Sequence, residues 1–428
     1  MNVLVIGSGA REHAIAWKLR QSPRLNDLFC APGNPGMADV GANLPIADSD
    51  FDGIARACKE HRIDLVVVGN EDPLAAGLVD RLAVEGVAAF GPAQAAAEIE
   101  SSKAFAKELM ARHGIPTAPF AVFDDASAAR AYVESQPGPF VVKADGLARG
   151  KGTIVTHSRD EAIDAIEAIM VRRVFEASGD RVVIEQRMSG PEVSAHAFTD
   201  GRTVAHLPFS CDHKPIFDGD EGPNTGGMGA YSPAEWLDEA TAQTIRLDVT
   251  EAALSALAAE GRAYRGVLYP GIMVTDDGPM VIEFNCRLGD PEAQVLLPRL
   301  ETDLLDVCWA AINQRLHEVE LRWSAEACVA VVLASGGYPG EYQTGLPIDG
   351  LADLDSDVHV FHAGTRRQDD GTLVTAGGRV LTVSAKGATI EEARTRAYRN
   401  VERIRFHGMH YRRDIGVVKE NPPVRSRA

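Results

Sequence analysis

The chain has few cysteines, and they are scattered: Cys30, Cys58, Cys211, Cys286, Cys308 and Cys328 form no C-x-x-C pair. That spacing suggests neither a disulfide framework nor a cysteine zinc site, and buried, inert thiols are the expectation. No apolar run approaches the roughly 18 residues that cross a bilayer. The opening Met-Asn-Val-Leu-Val-Ile-Gly has no basic leader and no cleavage pattern, so it reads as a strand inside the fold, and a cytoplasmic location is expected. Positive charge is also short. Against 61 Asp and Glu there are 43 Lys and Arg, a net charge of −18. This opposes non-specific attraction to nucleic acid or an anionic membrane, while a local basic pocket for a small phosphate remains open. Internal repeats and low-complexity tracts are missing as well. What remains is a composition ordinary for a folded enzyme, with 428 residues giving about three domains at roughly 150 residues each.

Up to about Pro92, apolar runs at 3–6, 65–68 and 87–90 alternate with helical stretches, the pattern of a parallel sheet with crossover helices. A long helical stretch over 94–113 ends at Gly114, Pro116 and Pro119. A small βαβ-like set over 120–186 reads as a lid, with a helix over 159–177, and strands resume over 192–210. A Gly-rich, nearly structureless loop is expected over 211–229, and such length in an ordered domain suggests function. A helix over 234–260 leads to strands at 266–275 and 279–284, joined by Asp276-Asp277-Gly278, a strong hairpin signal. Beyond Cys328 the text is strand-rich, with a helix near 390–404. The expected fold is α/β and α+β multidomain: a Rossmann-like N-terminal lobe over 1–102, a central domain over 103–327 with the lid at about 120–189, and a strand-rich C-terminal lobe over 328–428.

Five segments could carry chemistry. Gly7-Ser8-Gly9-Ala10-Arg11-Glu12-His13 follows the first strand, where helix-start amides bind phosphate. Glu12 stands where the dinucleotide fingerprint needs its third glycine, and a tight turn without ligand is the alternative. The run from Lys143 through Gly150, Lys151 and Gly152 offers lysines and bare amides suited to a triphosphate; a surface hairpin with solvated lysines fits nearly as well. In 182–192, Glu185 could accept from an adenine amine and Glu192 from ribose hydroxyls, or the segment is a plain interdomain connection. Strand alternation puts Glu283, Asn285 and Arg287 on one face, with two oxygen ligands for Mg²⁺ and a guanidinium for phosphoryl oxygens; a half-buried strand with a solvated polar face is the alternative. Asp212-His213-Lys214 and the glycines of 222–229 can wrap a small polar ligand, or form a flexible surface loop. His213 could be a base on type alone, while most histidines, including His359, His362, His407 and His410, read as surface or core residues.

Taken together, these motifs and their order resemble the ATP-grasp superfamily and, within it, the phosphoribosylamine–glycine ligases (glycinamide ribonucleotide synthetases), over essentially the whole chain. The most specific pieces are Gly-Pro-Asn-Thr-Gly-Gly-Met-Gly-Ala-Tyr-Ser-Pro at 222–233 and Ile-Glu-Phe-Asn-Cys-Arg-Leu-Gly-Asp-Pro-Glu at 282–292. The resemblance implies a carbon–nitrogen ligase of de novo purine synthesis. It would join glycine to 5-phosphoribosylamine through a glycyl phosphate, cleaving ATP to ADP and phosphate, with small-molecule partners, no nucleic acid or membrane, and a monomeric state. It also implies Arg287, Asp212 and Lys143 as catalytic groups. Lys103, Lys143 and the loop of Gly150, Lys151 and Gly152 would meet ATP phosphates, Glu185 and the backbone of Gln186 to Met188 the adenine, and Glu192 the ribose. Glu283 and Asn285 would carry Mg²⁺ or Mn²⁺. Gly9, Arg11 and Glu71 would meet phosphoribosylamine; Asp212, Asn224, Thr225, Gly226, Gly227, Arg287 and Asp290 lie where glycine and the second substrate converge.

The chain departs from the family pattern at Asn70, Arg149, Gln186, Pro215 and Gly219. Pro215 and Gly219 stand where positive residues are usual, so a weaker or shifted preference for the phosphorylated substrate is expected. Three other readings stay open at this point: a different ATP-grasp ligase, a nicotinamide-dependent oxidoreductase built on the N-terminal lobe, and a catalytically silent nucleotide binder.

Overall fold

The computed structural model describes residues 1–148 and 152–417. Its N-terminal lobe is a five-stranded parallel sheet in the spatial order Ala42–Asn43, Leu28–Pro32, Val3–Gly7, Leu65–Val68, Ala89–Phe90. Val3, Leu4, Val5 and Ile6 are fully buried because helices cover both faces, which is why these strands read as unbroken apolar runs. Chain order reverses at Val3–Gly7, so the crevice at its carboxyl end, where Gly7 to Gly9 lie, is the natural ligand position of such a sheet.

The helical stretch over 94–113 is two helices, Gln94–Ser101 and Lys103–His113. Ser102 breaks it: its backbone is extended and its Oγ accepts from the Phe105 amide, capping the second helix. The lid is an antiparallel sheet, not the βαβ-like set expected, in the order Phe120–Phe123, Val182–Gln186, Phe140–Ala144, Thr153–Val155. A parallel pair would need a crossover of about a dozen residues or more, which the connection between Phe140–Ala144 and Thr153–Val155 does not supply. Its helices, Ala126–Ser135 and Arg159–Ile166, close a separate small core with Phe140, Val142, Val182 and Ile184. The second is shorter than expected because a wider turn follows it at Glu167–Val171.

In the central domain, Gly266–Thr275 pairs with Gly278–Asn285 through the hairpin anticipated at Asp276-Asp277-Gly278, and Gly278 takes the positive φ of 109° that the turn requires. The helix expected from 234 starts at Glu239–Thr244, where Asp238 accepts from the Thr241 amide. The loop over 211–229 is not structureless: Pro215–Phe217 pairs with Glu221–Asn224, and Gly219 turns between them at φ 77°. Cys211–Asp212 and Gly229–Ser232 then join Ala327–Ala334, Arg379–Gly387 and His359–His362 in one five-stranded sheet. The glycine-rich segment is therefore bounded at both ends by strands of the C-terminal sheet. All six cysteines are buried and unpaired.

Candidate active site

The site is built where the carboxyl end of Val3–Gly7, the strand Gly278–Asn285 and the glycine-rich segment meet. At the first of these, Glu12 occupies the space a third glycine would leave open. Its Oε2 accepts from the Gly9 amide at 2.7 Å and its Oε1 from Arg11 Nε at 2.6 Å. An added Cβ on Gly7, Gly9 or Gly69 would lie 2.5, 2.7 or 2.4 Å from Glu12 atoms, so the three glycines are the room this carboxylate needs. A pyrophosphate on the Gly9 amide would have to displace Glu12, which removes the geometric basis of the nicotinamide reading.

Arg11 reaches on to Glu71 at 3.4 Å and to the Leu288 carbonyl at 3.3 Å. Arg287 is clamped rather than free: Nε donates to Glu71 at 2.9 Å and Nη2 lies 2.9 Å from Glu100, which also accepts from the Cys286 amide. Burial would lower the Arg287 pKa, but Glu100 and Glu71 outweigh it and drive it well up. Burial pushes Glu71 up in turn, and Arg287 and Arg11 bring it far below the carboxylate range. Gly9, Arg11, Glu71 and Arg287 therefore meet at one seam, with Arg287 already committed to two carboxylates.

On the opposite side, Lys103 donates to the Gly146 carbonyl at 2.8 Å and Lys143 to the Ile282 carbonyl at 2.9 Å. Glu185 is a correction to its expected role. It is 2% exposed, and its carboxylate is held between Lys107 and Lys143 rather than presented to a base. Burial raises its pKa, but Lys143 and Lys107 together hold it low. Lys107, its pKa pushed down to about 8 by burial against the pull of Glu185, also donates to Thr117 Oγ1 at 2.6 Å. Thr117 in turn donates to the Val281 carbonyl at 2.8 Å. The amides of Gln186 and Arg187 are spent on the Pro119 and Pro139 carbonyls, so a base edge would have to be met further along, toward the half-buried Met188. Gly150 and Lys151 lie outside the described residues, while the Gly152 carbonyl accepts from the Ala144 amide at 2.8 Å.

Glu283 and Asn285 share one face of their strand, while Phe284 and Cys286 turn into the core. Glu283 has no hydrogen bond or ion pair among the described residues. Burial pushes its pKa up, but Lys214, Lys143, Lys103 and Arg287 bring it below the ordinary value. Asn285 donates its Nδ2 hydrogen to the Tyr269 carbonyl at 3.4 Å, leaving its amide oxygen available to accept or to ligate a cation. Among the described residues no three His, Cys, Asp or Glu side chains form a metal cage. Two hard oxygens beside lysines fit a Mg²⁺ completed by phosphate oxygens and water instead.

Lys214 pairs with Glu192 at 2.7 Å, so Glu192 is engaged rather than open to a ribose, and lies 3.6 Å from Asp212. Burial, with Glu292, Glu192 and Glu283 nearby, pushes Asp212 up to about 7 despite Lys214. This pocket is rich in carboxylates and short of cations. The glycine-rich turn is fixed by Thr225, whose amide and hydroxyl both donate to the Lys214 carbonyl and whose Oγ1 accepts from the Gly227 amide at 3.0 Å. Asn224 is exposed at the end of its strand. His213 is tied elsewhere, its Nδ1 lying 3.4 Å from Arg412.

Three participants escaped the sequence reading. Lys107 lies four residues after Lys103 on one helix, a spacing that places both on one face and could have been noticed. Arg379 and Tyr338 come from the C-terminal lobe and had no local signal: Arg379 Nη2 donates to Asp290 at 3.0 Å, and Tyr338 accepts from the Gly226 amide at 3.1 Å.

Residues 1–100, 101–293 and 328–418 match the N domain, the ATP-grasp (A) domain and the C domain of phosphoribosylglycinamide synthetase. The phosphoribosylamine–glycine ligase of Halalkalibacterium halodurans is 47% identical over 416 residues, covering 97% of this chain and 96% of that protein. The chain belongs to the phosphoribosylglycinamide synthetase family. The crystal structure of phosphoribosylamine–glycine ligase from Thermotoga maritima superposes with a TM-score of 0.85 at 36% identity, covering 97% of this chain and all of the other. A biotin carboxylase domain of 2-oxoglutarate carboxylase from Hydrogenobacter thermophilus, solved with MgADP, has the same fold at a TM-score of 0.72 and 18% identity, with 96% and 91% coverage. Membership in the phosphoribosylglycinamide synthetase family makes this an ATP-grasp enzyme and a carbon–nitrogen ligase. Among the described residues, no helix is long and apolar enough to cross a membrane.

Proposed function

We propose that this chain ligates glycine to 5-phosphoribosylamine, giving glycinamide ribonucleotide, ADP and phosphate, in purine synthesis. The observation that carries the reading is the strand face of Glu283 and Asn285, with Arg287 in the bend just beyond it, set between a lysine cluster and a carboxylate-rich pocket, in a chain of this family.

A glycine carboxylate oxygen attacks the γ-phosphorus of ATP; the bond to the β-phosphate oxygen breaks, and ADP leaves. The ribosyl amine then attacks the carbonyl carbon of the glycyl phosphate. The carbon–nitrogen bond forms, the carbon–oxygen bond to phosphate breaks, and the amine gives up a proton as phosphate departs. No side-chain nucleophile is required, so the work is positioning and charge neutralisation. Lys103 and Lys143, with the 150–152 loop, meet the phosphates, and Lys143 is aimed by Glu185 and the Ile282 carbonyl. The backbone near Met188 takes adenine, and Glu192 takes ribose by exchanging its contact with Lys214. Mg²⁺ or Mn²⁺ bound by Glu283 and Asn285 would supply neutralisation of the phosphate charge. Asp212, close to neutral pH in its titration, suits contact with an amine. Arg11, Arg287 and Glu71 frame the side from which phosphoribosylamine enters.

The test is ADP release with Mg-ATP and freshly generated phosphoribosylamine, with glycine present, omitted, or replaced by alanine or β-alanine. Turnover that needs both glycine and the ribosyl amine is the expected result. ADP release that follows another amino acid, or ignores the ribosyl amine, would reassign the substrate.

A further inference from the structure

We propose that Arg379, from the C-terminal lobe, is a positioning residue that sets the binding of the phosphorylated amine substrate; this rests on the ligase reading above. Its guanidinium bridges two segments that are far apart in sequence. Nη1 donates to the Gly226 carbonyl, more distantly to the Gly227 carbonyl at 3.4 Å, and to the Asp290 carbonyl at 2.7 Å; Nη2 donates to Asp290 Oδ2 at 3.0 Å. Gln294 holds the other Asp290 oxygen at 2.7 Å.

The turn is shaped to receive this fork. A Cβ on Gly226 would lie 3.1 Å from the guanidinium carbon, and one on Gly227, at φ 110°, would lie 2.4 Å from Pro291. The planar group therefore lies flat on a backbone that only glycine provides, and only a guanidinium has the donors to hold several carbonyls and a carboxylate at once. Tyr338, from the same lobe, takes the Gly226 amide, so the turn is held on both its donor and its acceptor sides. The same Asp290 Oδ2 that accepts from Arg379 faces the N-terminal lobe: a Cβ on Gly9 would be 3.6 Å from it. Arg379 thus fixes the spacing between Gly226, Asp290 and Gly9, where all three lobes meet and the ribosyl amine is expected. Among the described residues, no hydrogen bond or ion pair joins Arg379 to Lys103, Lys143 or Glu283.

The experiment is steady-state ADP release by the full-length wild type and the variants Arg379→Met, Arg379→Lys and Tyr338→Phe, with KM measured separately for ATP, glycine and phosphoribosylamine. Arg379→Met should raise KM for phosphoribosylamine on the order of tenfold or more, the effect of losing a charge-assisted hydrogen bond, while KM for ATP stays within about twofold. Arg379→Lys should recover only part of this, because it restores charge without the fork. Tyr338→Phe removes one oxygen with little risk to folding and should shift KM the same way by a smaller factor. Unchanged constants, an equal loss for all three substrates, or full recovery with lysine would overturn the inference. Wild type that releases no ADP with glycine and phosphoribosylamine would overturn the ligase reading, and this inference with it.

Discussion

On the side proposed for ATP the cations are lysines: Lys107 and Lys143 pair with Glu185, and Lys103 and Lys143 lie near enough to Glu283 to feel its charge. On the seam toward the outer lobes they are arginines, and Arg11, Arg287 and Arg379 are paired with Glu12, Glu71, Glu100 and Asp290. The first group is short of negative charge and the second has more than enough. A cluster of point charges lacking anions suits a mobile polyphosphate. Planar forks already saturated by carboxylates work as scaffolding, fixing distances instead of waiting for charge. Losing a lysine or its metal-side carboxylate should therefore cost chemistry, whereas losing an arginine should cost geometry.

The contrast is most exposed at Glu283. Glu283→Gln should lower kcat on the order of 10³-fold, because the developing phosphoryl charge loses its main protein anchor for Mg²⁺. ADP release at saturating ATP measures it, and a loss confined to KM for phosphoribosylamine would break the comparison. Next, Glu185→Gln leaves two buried lysines without their acceptor and should cost about 3–5 kcal/mol of stability in urea denaturation. Lys107→Met leaves a one-to-one pair and should cost clearly less; equal costs would mean that Glu185 is not shared. Arg287→Lys keeps the charge but cannot span Glu71 and Glu100, so kcat/KM for phosphoribosylamine should fall roughly tenfold with KM for ATP little changed.

A separate effect, on stability alone, is acid sensitivity. Burial pushes His13 down to about 3, and its Nδ1 accepts from the His362 amide at 2.9 Å. The unfolded chain binds this proton near the ordinary histidine value and the folded chain does not. Stability from this site is therefore complete at neutral pH and is lost as pH falls below about 6.5 toward 3, by up to about 1.4 kcal/mol per pH unit. His13→Asn keeps an acceptor that cannot titrate, and should flatten the fall of urea midpoints between pH 6.5 and 4 by about one proton's worth.

Much of this was readable in one dimension. The parallel lobe follows from apolar runs, the hairpin from Asp276-Asp277-Gly278, and the shared face of Glu283 and Asn285 from strand alternation, whereas Arg287 lies in a bend past the strand end. What failed has physical causes. Ser102 looks like a helix residue until Phe105 and Asp145 give it capping partners. The pairing of Pro215–Phe217 with Glu221–Asn224 has no alternating apolar pattern to announce it, since the second strand is wholly exposed. Nothing local shows that the Glu185 carboxylate turns inward, since Lys107, the group that holds it, sits 78 positions away. Partnerships of that kind leave no local trace, and Arg379 with Asp290 is another.

Arg412, whose side chain is wholly buried, donates to the Pro215 carbonyl and pairs with Asp220 and Asp414, while Asp414 accepts from the Gly219 amide. The paired strands around Gly219 are thus fastened by residues nearly two hundred positions later in the chain. A ribosome releases those residues long after the turn they fasten. The N-terminal sheet and the lid can each assemble from neighbouring segments as they emerge, but the glycine-rich turn must wait until residues 412–414 have cleared the exit tunnel. A chain that stopped short of Arg412 would still carry Lys103, Lys107 and Lys143 but would lack the ties on the Pro215 carbonyl and the Gly219 amide.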